Sequence, residues 1–334
     1  MIFISRRNLK EQQYDVTGSI HTMNIKTKGI IKDATPEIKS CIRSIVTGGH
    51  EMVTSCIINA NNLMGDIFTY DEFLTALSTI LADVEIEKYW ITRVDMRFDS
   101  YDREYYLRNA KLNRFLISMI AVTYNVKNRY RTVDLFSEQQ LSVAIKTDEF
   151  EIENYDKERE SAGCDRAKSR FELRSKRMRG KDIEQEFLVG WPRRWEKSLK
   201  NFSKVGERYN EELVRIYREG STVFPKKFSN LTDFLLQYQN CIFTKEQMID
   251  FLEMVGVKNP KIKYQNHKQR YGIELFNIDD VSAAIAEINR ATRQYFGKSK
   301  VIQTERYKGM QGPCNKGENA NLKMVQTHNM DVAA

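Results

Sequence analysis

Strict alternation of apolar and charged residues marks the most ordered stretches of this chain. In residues 91–100, ITRVDMRFDS, Val94, Met96 and Phe98 alternate with Arg93, Asp95, Arg97 and Asp99, the period-two pattern of a strand with one buried face. Residues 150–157 set Phe150 and Ile152 against Glu151, Glu153, Tyr155 and Lys157, and residues 170–177 set Phe171 and Leu173 against Arg170, Glu172 and Arg174, because successive side chains of a strand point to opposite faces. Further strands are expected at 52–59, 131–136 and 141–146, while the first forty residues are polar and expected to be irregular with short strands. Helical spacing appears between them. Phe73, Leu74, Leu77 and Ile80 predict a helix over 70–83 capped by Asp71, and Tyr106, Leu112, Leu116 and Ile120 predict a long amphipathic helix over 104–124. This mixture predicts an α+β fold, an antiparallel sheet with helices on one side.

After Gly180 the pattern turns helical. Residues 181–219 are charged and helical, with Trp191, Trp195, Phe202 and Tyr209 among them and an interruption at Trp191-Pro192. Aromatics at this spacing stack bases in some single-strand binders, but Trp191 and Trp195 are read as core. Further helices are expected at 231–239, 245–255 and 279–296, forming a mainly helical C-terminal unit. The segment TKEQMIDFLEMVGVKN, residues 244–259, has the outline of a helix, a glycine turn and a continuation. That outline fits a helix-turn-helix unit for duplex DNA or a structural cap. The expected organisation is a domain over 1–219, a helical DNA-recognition or accessory domain over 220–297, and a tail over 298–334 that lacks apolar periodicity and is expected to be disordered.

Composition narrows the partner. The 334 residues carry a formal net charge of +8 with a pI near 9.0, which suits a polyanion. The positive charge is concentrated between residues 166 and 200, where Arg166, Arg174, Lys176, Arg177, Arg193 and Arg194 are among the cations. Alone, such a run fits a solvated helix face; beside the charged strands it becomes a candidate DNA path. Five scattered cysteines include no C-x-x-C pair, which argues against a disulfide framework or zinc ribbon and for a reducing, cytoplasmic setting. The N-terminus does not read as a signal peptide, and no run reaches the ~18 apolar residues of a membrane span. The four histidines, including His21 and His267, are not spaced as a metal pair, which removes zinc hydrolases and the paired-histidine nickases.

The charged strand faces hold the candidate chemistry. A phenol beside a lysine, with carboxylates close by, suits attack on phosphodiester phosphorus. The same acids, Asp95 lying between Arg93 and Arg97 and Glu172 between Arg170 and Arg174, also suit cross-strand ion pairs. The order of ITRVDMRFDS, then FEIENYDKERES, then RFELRSKRM resembles the Rep_trans rolling-circle replication initiators of Gram-positive plasmids. It is similar also to relaxases of integrative elements and to the replication endonuclease of filamentous phages. The resemblance covers about a third of the chain, and the glycine of the family's lead-in is missing from SVAIKTDEF.

The resemblance implies roles residue by residue. Tyr155 is the nucleophile that nicks one DNA strand and stays joined to its 5′-phosphate, with Lys157 as companion. Asp95 and Glu172 are carboxylates of a site for Mg²⁺ or Mn²⁺. Both acids are expected on outward faces, where substitution changes stability little. Arg93, Arg97, Arg170, Arg174, Lys176, Arg177, Arg193 and Arg194 are expected to contact DNA. The implied partners are origin DNA, as duplex and extruded single strand, and a host helicase and polymerase, since the chain has no glycine-rich phosphate loop ending in lysine. A homodimer is one option for its assembly. A conjugative relaxase and a non-catalytic DNA-binding regulator of the same fold stand as alternatives.

Overall fold

Seven strands pair antiparallel throughout into one sheet in the order β2-β3-β1-β4-β7-β6-β5. The computed structural model describes residues 16–29, 36–47, 53–65, 68–101, 103–126, 142–163, 165, 167–220 and 230–297. The expected strand at 131–136, Arg166 and the tail over 298–334 lie outside them. The strands are β1 (Val16–Lys28), β2 (Ile42–Thr47), β3 (Val53–Asn59), β4 (Trp90–Ser100), β5 (Ser142–Lys146), β6 (Phe150–Tyr155) and β7 (Ser169–Lys176). The α+β class expected from the alternation is the class observed.

Helices follow the strands in chain order: α1 (Pro36–Cys41), α2 (Ala60–Met64), α3 (Tyr70–Asp83), α4 (Arg103–Thr123), α5 (Lys157–Glu160) and α6 (Ile183–Gln185). A π-helical turn over Glu186–Gly190 feeds α7 (Trp191–Leu199), and α8 (Phe202–Glu219), α9 (Leu231–Gln237), α10 (Lys245–Met254), α11 (Pro260–Tyr271) and α12 (Ile278–Tyr295) complete the set. Pro192 therefore sits just past the π-helical turn, in the first turn of α7, where the wider turn marks the interruption that the sequence carries at Trp191-Pro192. Helix α3 begins one residue earlier than its expected cap: Thr69 accepts from the Glu72 N–H and Glu72 accepts from the Thr69 N–H. This reciprocal box, and not Asp71, satisfies the start of the helix, and it contributes about 1 kcal/mol.

The apolar face of the sheet carries Ile20, Met23, Val94, Met96, Phe98, Phe171 and Leu173, all buried. Helices α4, α7 and α12 pack on that side. Helix α12 crosses β1 at Gly18, where an added Cβ would stand 3.2 Å from the Ala291 carbonyl oxygen and 3.2 Å from the Phe98 ring, so a side chain here would push the helix and the ring back by a few tenths of an ångström. Trp191 and Trp195 are in the core, as their spacing suggested, and the Trp191 indole donates to Ser175 Oγ at 2.9 Å. The helices past residue 230 share this core: Asn210 of α8 donates to the Gln247 carbonyl of α10 at 2.9 Å, and Val281, Ala284 and Ile288 of α12 are buried. Among the described residues, no helix is long and apolar enough to cross a membrane.

The N-terminal region differs most from its expectation. Where short irregular strands were expected, β1 runs thirteen residues through the middle of the sheet. Its pairing with β4 runs from Val16↔Ser100 to Ile20↔Met96 and resumes at Thr22↔Asp95, so that His21 has no opposite residue in the ladder. One extra residue in one strand is a β-bulge.

Candidate active site

The bulge decides what the polar face of the sheet presents. Ile20 and Met23 both enter the core with two residues between them, so His21 and Thr22 both turn to the opposite side. Thr22 donates to Asp95 Oδ2 at 2.5 Å, and His21 Nδ1 lies 2.9 Å from Glu172 Oε1. Without the extra residue one of the two would face the helices.

Cross-strand registers then assemble rows of charge. Asp95 opposes Arg174, Arg97 opposes Glu172, and Asp99 opposes Arg170 between β4 and β7; Glu172 opposes Glu153 and Arg170 opposes Tyr155 between β7 and β6. Glu172 is the hub. Its Oε1 accepts from the Tyr155 hydroxyl at 2.8 Å, and its Oε2 accepts from Arg174 Nε at 2.8 Å and Nη2 at 2.5 Å. Arg174 also pairs with Glu153 and with Glu151 at 3.2 Å, and Lys176 holds Glu151 at 2.5 Å. Asp95 is held by a fork from Arg93, Nε to Oδ1 at 2.6 Å and Nη2 to Oδ2 at 2.8 Å.

A cleft of about 560 Å³ opens onto this face, lined by His21, Asp95, Tyr155, Lys157, Glu172 and Arg174 among others. Tyr155 and Lys157 meet there by a different route from the one their spacing suggested. The strand ends at Tyr155, Asp156 caps the single turn α5 through the Arg159 N–H at 3.1 Å, and Lys157 swings back until its Nζ stands 5.8 Å from the Tyr155 ring centroid. Lys157 also pairs with Glu160 at 2.5 Å.

Burial and charge set the protonation states. Burial and the Glu172 carboxylate raise the Tyr155 phenol far above its ordinary value, against a smaller opposing pull from Arg170. Burial by itself would raise Glu172, but hydrogen bonds and charge from His21 and Arg174 outweigh it and hold the carboxyl below the usual carboxylate range. At neutral pH the site therefore holds a phenol that donates to an ionised carboxylate.

The structure separates the expected DNA contacts into groups. Arg93, Arg174 and Lys176 are partly exposed, and Arg93 and Arg174 line the cleft. Arg177 is exposed and pairs with Asp148 at 3.2 Å. Arg97 and Arg170 are each 1% exposed. Arg170 clamps Asp99 at 2.6 and 3.0 Å, and Arg97 donates to Ser19 at 2.9 Å. Guanidinium groups engaged this way inside the protein have no face for a phosphate, which corrects their assignment to DNA.

Arg193 is exposed, whereas Arg194 pairs with Glu186 at 2.8 Å and stacks over Trp191 at 4.9 Å and Phe150 at 5.5 Å. Replacing both with alanine is therefore expected to flatten the slope of log affinity against log salt on duplex DNA by about 0.9, the share of one phosphate contact. Titrations at several salt concentrations check this. A fall near two units would return Arg194 to the DNA.

The two carboxylates expected at a metal are of the class that hard cations take, and both face the cleft. Yet their oxygens are occupied by Arg93, Thr22, Arg174 and the Tyr155 hydroxyl. Among the described residues, no group of three His, Cys, Asp or Glu side chains converges to hold a metal ion. In this arrangement the pair is a lattice of ion pairs and does not fit Mg²⁺ or Mn²⁺, so no step below runs through a metal.

Sequence reasoning missed His21, Thr22 and Glu153. The signal for the first two is the spacing of Ile20, Met23 and Ile25: an interval of three beside an interval of two inside an otherwise alternating run marks a bulge.

No protein-family model matches the chain, and no curated protein matches it. Among solved structures, the chain is similar to a rolling circle replication initiator protein from Geobacillus stearothermophilus. The TM-score is 0.28 at 10% identity, over 49% of this chain and 76% of that chain.

Proposed function

We propose that this chain nicks and rejoins one strand of DNA through a covalent bond to Tyr155, as an initiator of rolling-circle replication. The observation that carries the reading is the Tyr155 hydroxyl, hydrogen-bonded at 2.8 Å to a buried, ionised Glu172 on the wall of a cleft that also holds Lys157, Arg93 and Arg174. The order of the three strand motifs, which resembles that of the Rep_trans initiators, supports it.

The residues divide the work. Tyr155 Oη attacks phosphorus and its proton leaves along the hydrogen bond to Glu172 and on to solvent, since a carboxylate held below its usual range does not keep it. The bond from phosphorus to the 3′ oxygen breaks, the 3′ oxygen leaves as a hydroxyl after taking a proton from solvent, and a 5′-phosphotyrosyl ester remains. Arg93, Arg174 and Lys157 supply positive charge where the phosphorane gathers negative charge. Rejoining is the reverse, with the 3′-hydroxyl as nucleophile, and it needs no nucleotide because the ester keeps the phosphodiester energy.

Incubation with a single-stranded origin oligonucleotide followed by peptide mass analysis tests this: the expected product is one phosphotyrosyl peptide containing residue 155. Binding without any adduct would sink the reading and leave the second one, a DNA-binding regulator, which the pairing of Asp95, Glu151 and Glu172 with cations favours. Titration with Mg²⁺ in the same assay tests the carboxylate pair, since a metal requirement would demand that Asp95 and Glu172 release their arginines. A relaxase would make the same adduct, and mapping the nicked sequence to a replication or a transfer origin separates the two.

His21 acts through Glu172 as a positioning residue. His21→Gln is expected to slow nicking on the order of tenfold or more with DNA binding within about twofold. Losing its pull lets the Glu172 pKa rise, and a base must be deprotonated to accept a proton, so the acid limb of the pH–rate profile moves to higher pH. An unmoved limb with a normal rate would reduce His21 to a structural partner.

A further inference from the structure

We infer that α10, the turn after it and α11 form a duplex-DNA reading unit in which α11 enters the major groove and reads adenine-containing base pairs. The inference deepens the proposed function and rests on it, since an initiator must find its origin as duplex before any strand is nicked. Helix α10 ends at Met254, Gly256 takes a left-handed φ of +84, and Pro260 opens α11. This helix, glycine-containing turn and second helix follow the outline of helix-turn-helix units, with a turn slightly longer than the usual one. Met248, Phe251 and Leu252 of α10 are fully buried, and Tyr264 and His267 of α11 pack inward, so the pair is anchored while the rest of α11 stays outside.

The outer surface of α11 is ordered by chemistry. From Lys258 to Gly272 the chain carries Lys258, Lys261, Lys263, Lys268 and Arg270 and no acidic residue. At 3.6 residues per turn, Ile262, Gln265, Asn266 and Gln269 form the middle of the exposed face. Lys261 and Lys268 border it on one side, and Lys263 and Arg270 on the other. All four central residues are exposed, Ile262 at 57%. Glutamine and asparagine amides pair in bidentate fashion with N6 and N7 of adenine, and an apolar side chain suits the thymine methyl. Cations on both borders suit the two phosphate backbones that flank a groove.

Helix α11 is about 18 Å long, a length the major groove admits. A solvated helix covering only its own core would need neither the absence of acids nor amides centred between cations. The charge pattern commits the surface to a polyanion with readable edges, and duplex DNA supplies both.

The test is selection by the full chain from a pool of randomised duplexes, followed by salt titrations on the enriched sequence and on a scrambled one. Wild type is expected to enrich a motif containing adenine. Gln265→Ala with Gln269→Ala should lose preference for that motif by about tenfold or more while keeping affinity for scrambled duplex within about twofold. Lys261→Ala with Lys268→Ala should weaken both duplexes alike and flatten the salt slope by about 1.8.

Thermal melting of each variant confirms folding, and the substituted side chains are exposed. The inference is overturned if wild type enriches nothing, if the glutamine variant keeps the motif, or if the lysine variant keeps its slope. Adduct formation on a single-stranded oligonucleotide is measured alongside. Loss of adduct in wild type with intact duplex selection condemns the nicking reading alone, and normal adduct with failed selection condemns this one alone.

Discussion

Tyr155→Phe is expected to abolish nicking and the covalent adduct, a loss of about 10³-fold or more, while affinity for the same DNA stays within about twofold. Only the oxygen proposed to attack is removed, and phenylalanine offers no nucleophile in its place. The ring remains on β6, and Glu172 keeps Arg174 on Oε2 and His21 beside Oε1, so the loss of one hydrogen bond costs about 1 kcal/mol of stability. Gel assays on supercoiled and single-stranded DNA measure the rate, and filter binding measures affinity. Normal nicking by the Tyr155→Phe protein would move the nucleophile elsewhere, first to Tyr101, which stands 3.5 Å from Thr17 on the neighbouring strand β1.

The parts of this site that were legible in the sequence are those that obey a single period. The alternation of Val94, Met96 and Phe98 with charged residues placed β4 within a residue of its observed limits, Trp90–Ser100, because a strand with one apolar face has only one register that hides it. The helix from Tyr70 to Asp83 was equally clear. What broke a period was missed. The bulge at His21 makes β1 look irregular although it is the longest strand described, and the Asp156 cap turns Lys157 out of the strand it was expected to extend. Burial was illegible for another reason. A pattern says which residues share a face and not whether that face meets solvent. In the centre of a seven-stranded sheet a charged side chain is shielded by neighbours on both flanking strands. Asp95, Arg97, Asp99, Arg170 and Glu172 are each at most 3% exposed, against the expectation of outward faces.

That burial makes the charged rows a stability element, and Arg170→Met is expected to be among the most damaging single substitutions in the protein. The substitution leaves the Asp99 carboxylate, 2% exposed, without the two charge-assisted hydrogen bonds at 2.6 and 3.0 Å that hold it. Breaking a buried pair from one side costs about 3 to 5 kcal/mol, since the remaining charge is neither solvated nor matched. Arg97 stays 3.4 Å from Asp99 and offsets part of this.

The pH dependence has a definite sign. Burial alone would raise Asp99, Glu151 and Glu172, but the facing cations win and hold all three below their ordinary values. Carboxylates depressed in the folded state contribute stability that is fully present above their unfolded values near 4 and is lost as pH falls through the lower, folded ones. Wild type should therefore weaken modestly from about pH 7 to 5, where burial holds the His267 imidazole below its ordinary value and the unfolded chain takes up the proton first, and weaken steeply below about 4. The gap to Arg170→Met should narrow over that same acid window, because in the variant Asp99 protonates more readily and its unmatched charge disappears. Urea denaturation at pH 7 and pH 3.5 measures both proteins. A cost below about 1 kcal/mol at pH 7, the range of an exposed ion pair, would return these rows to the outward surface on which the sequence pattern alone had placed them.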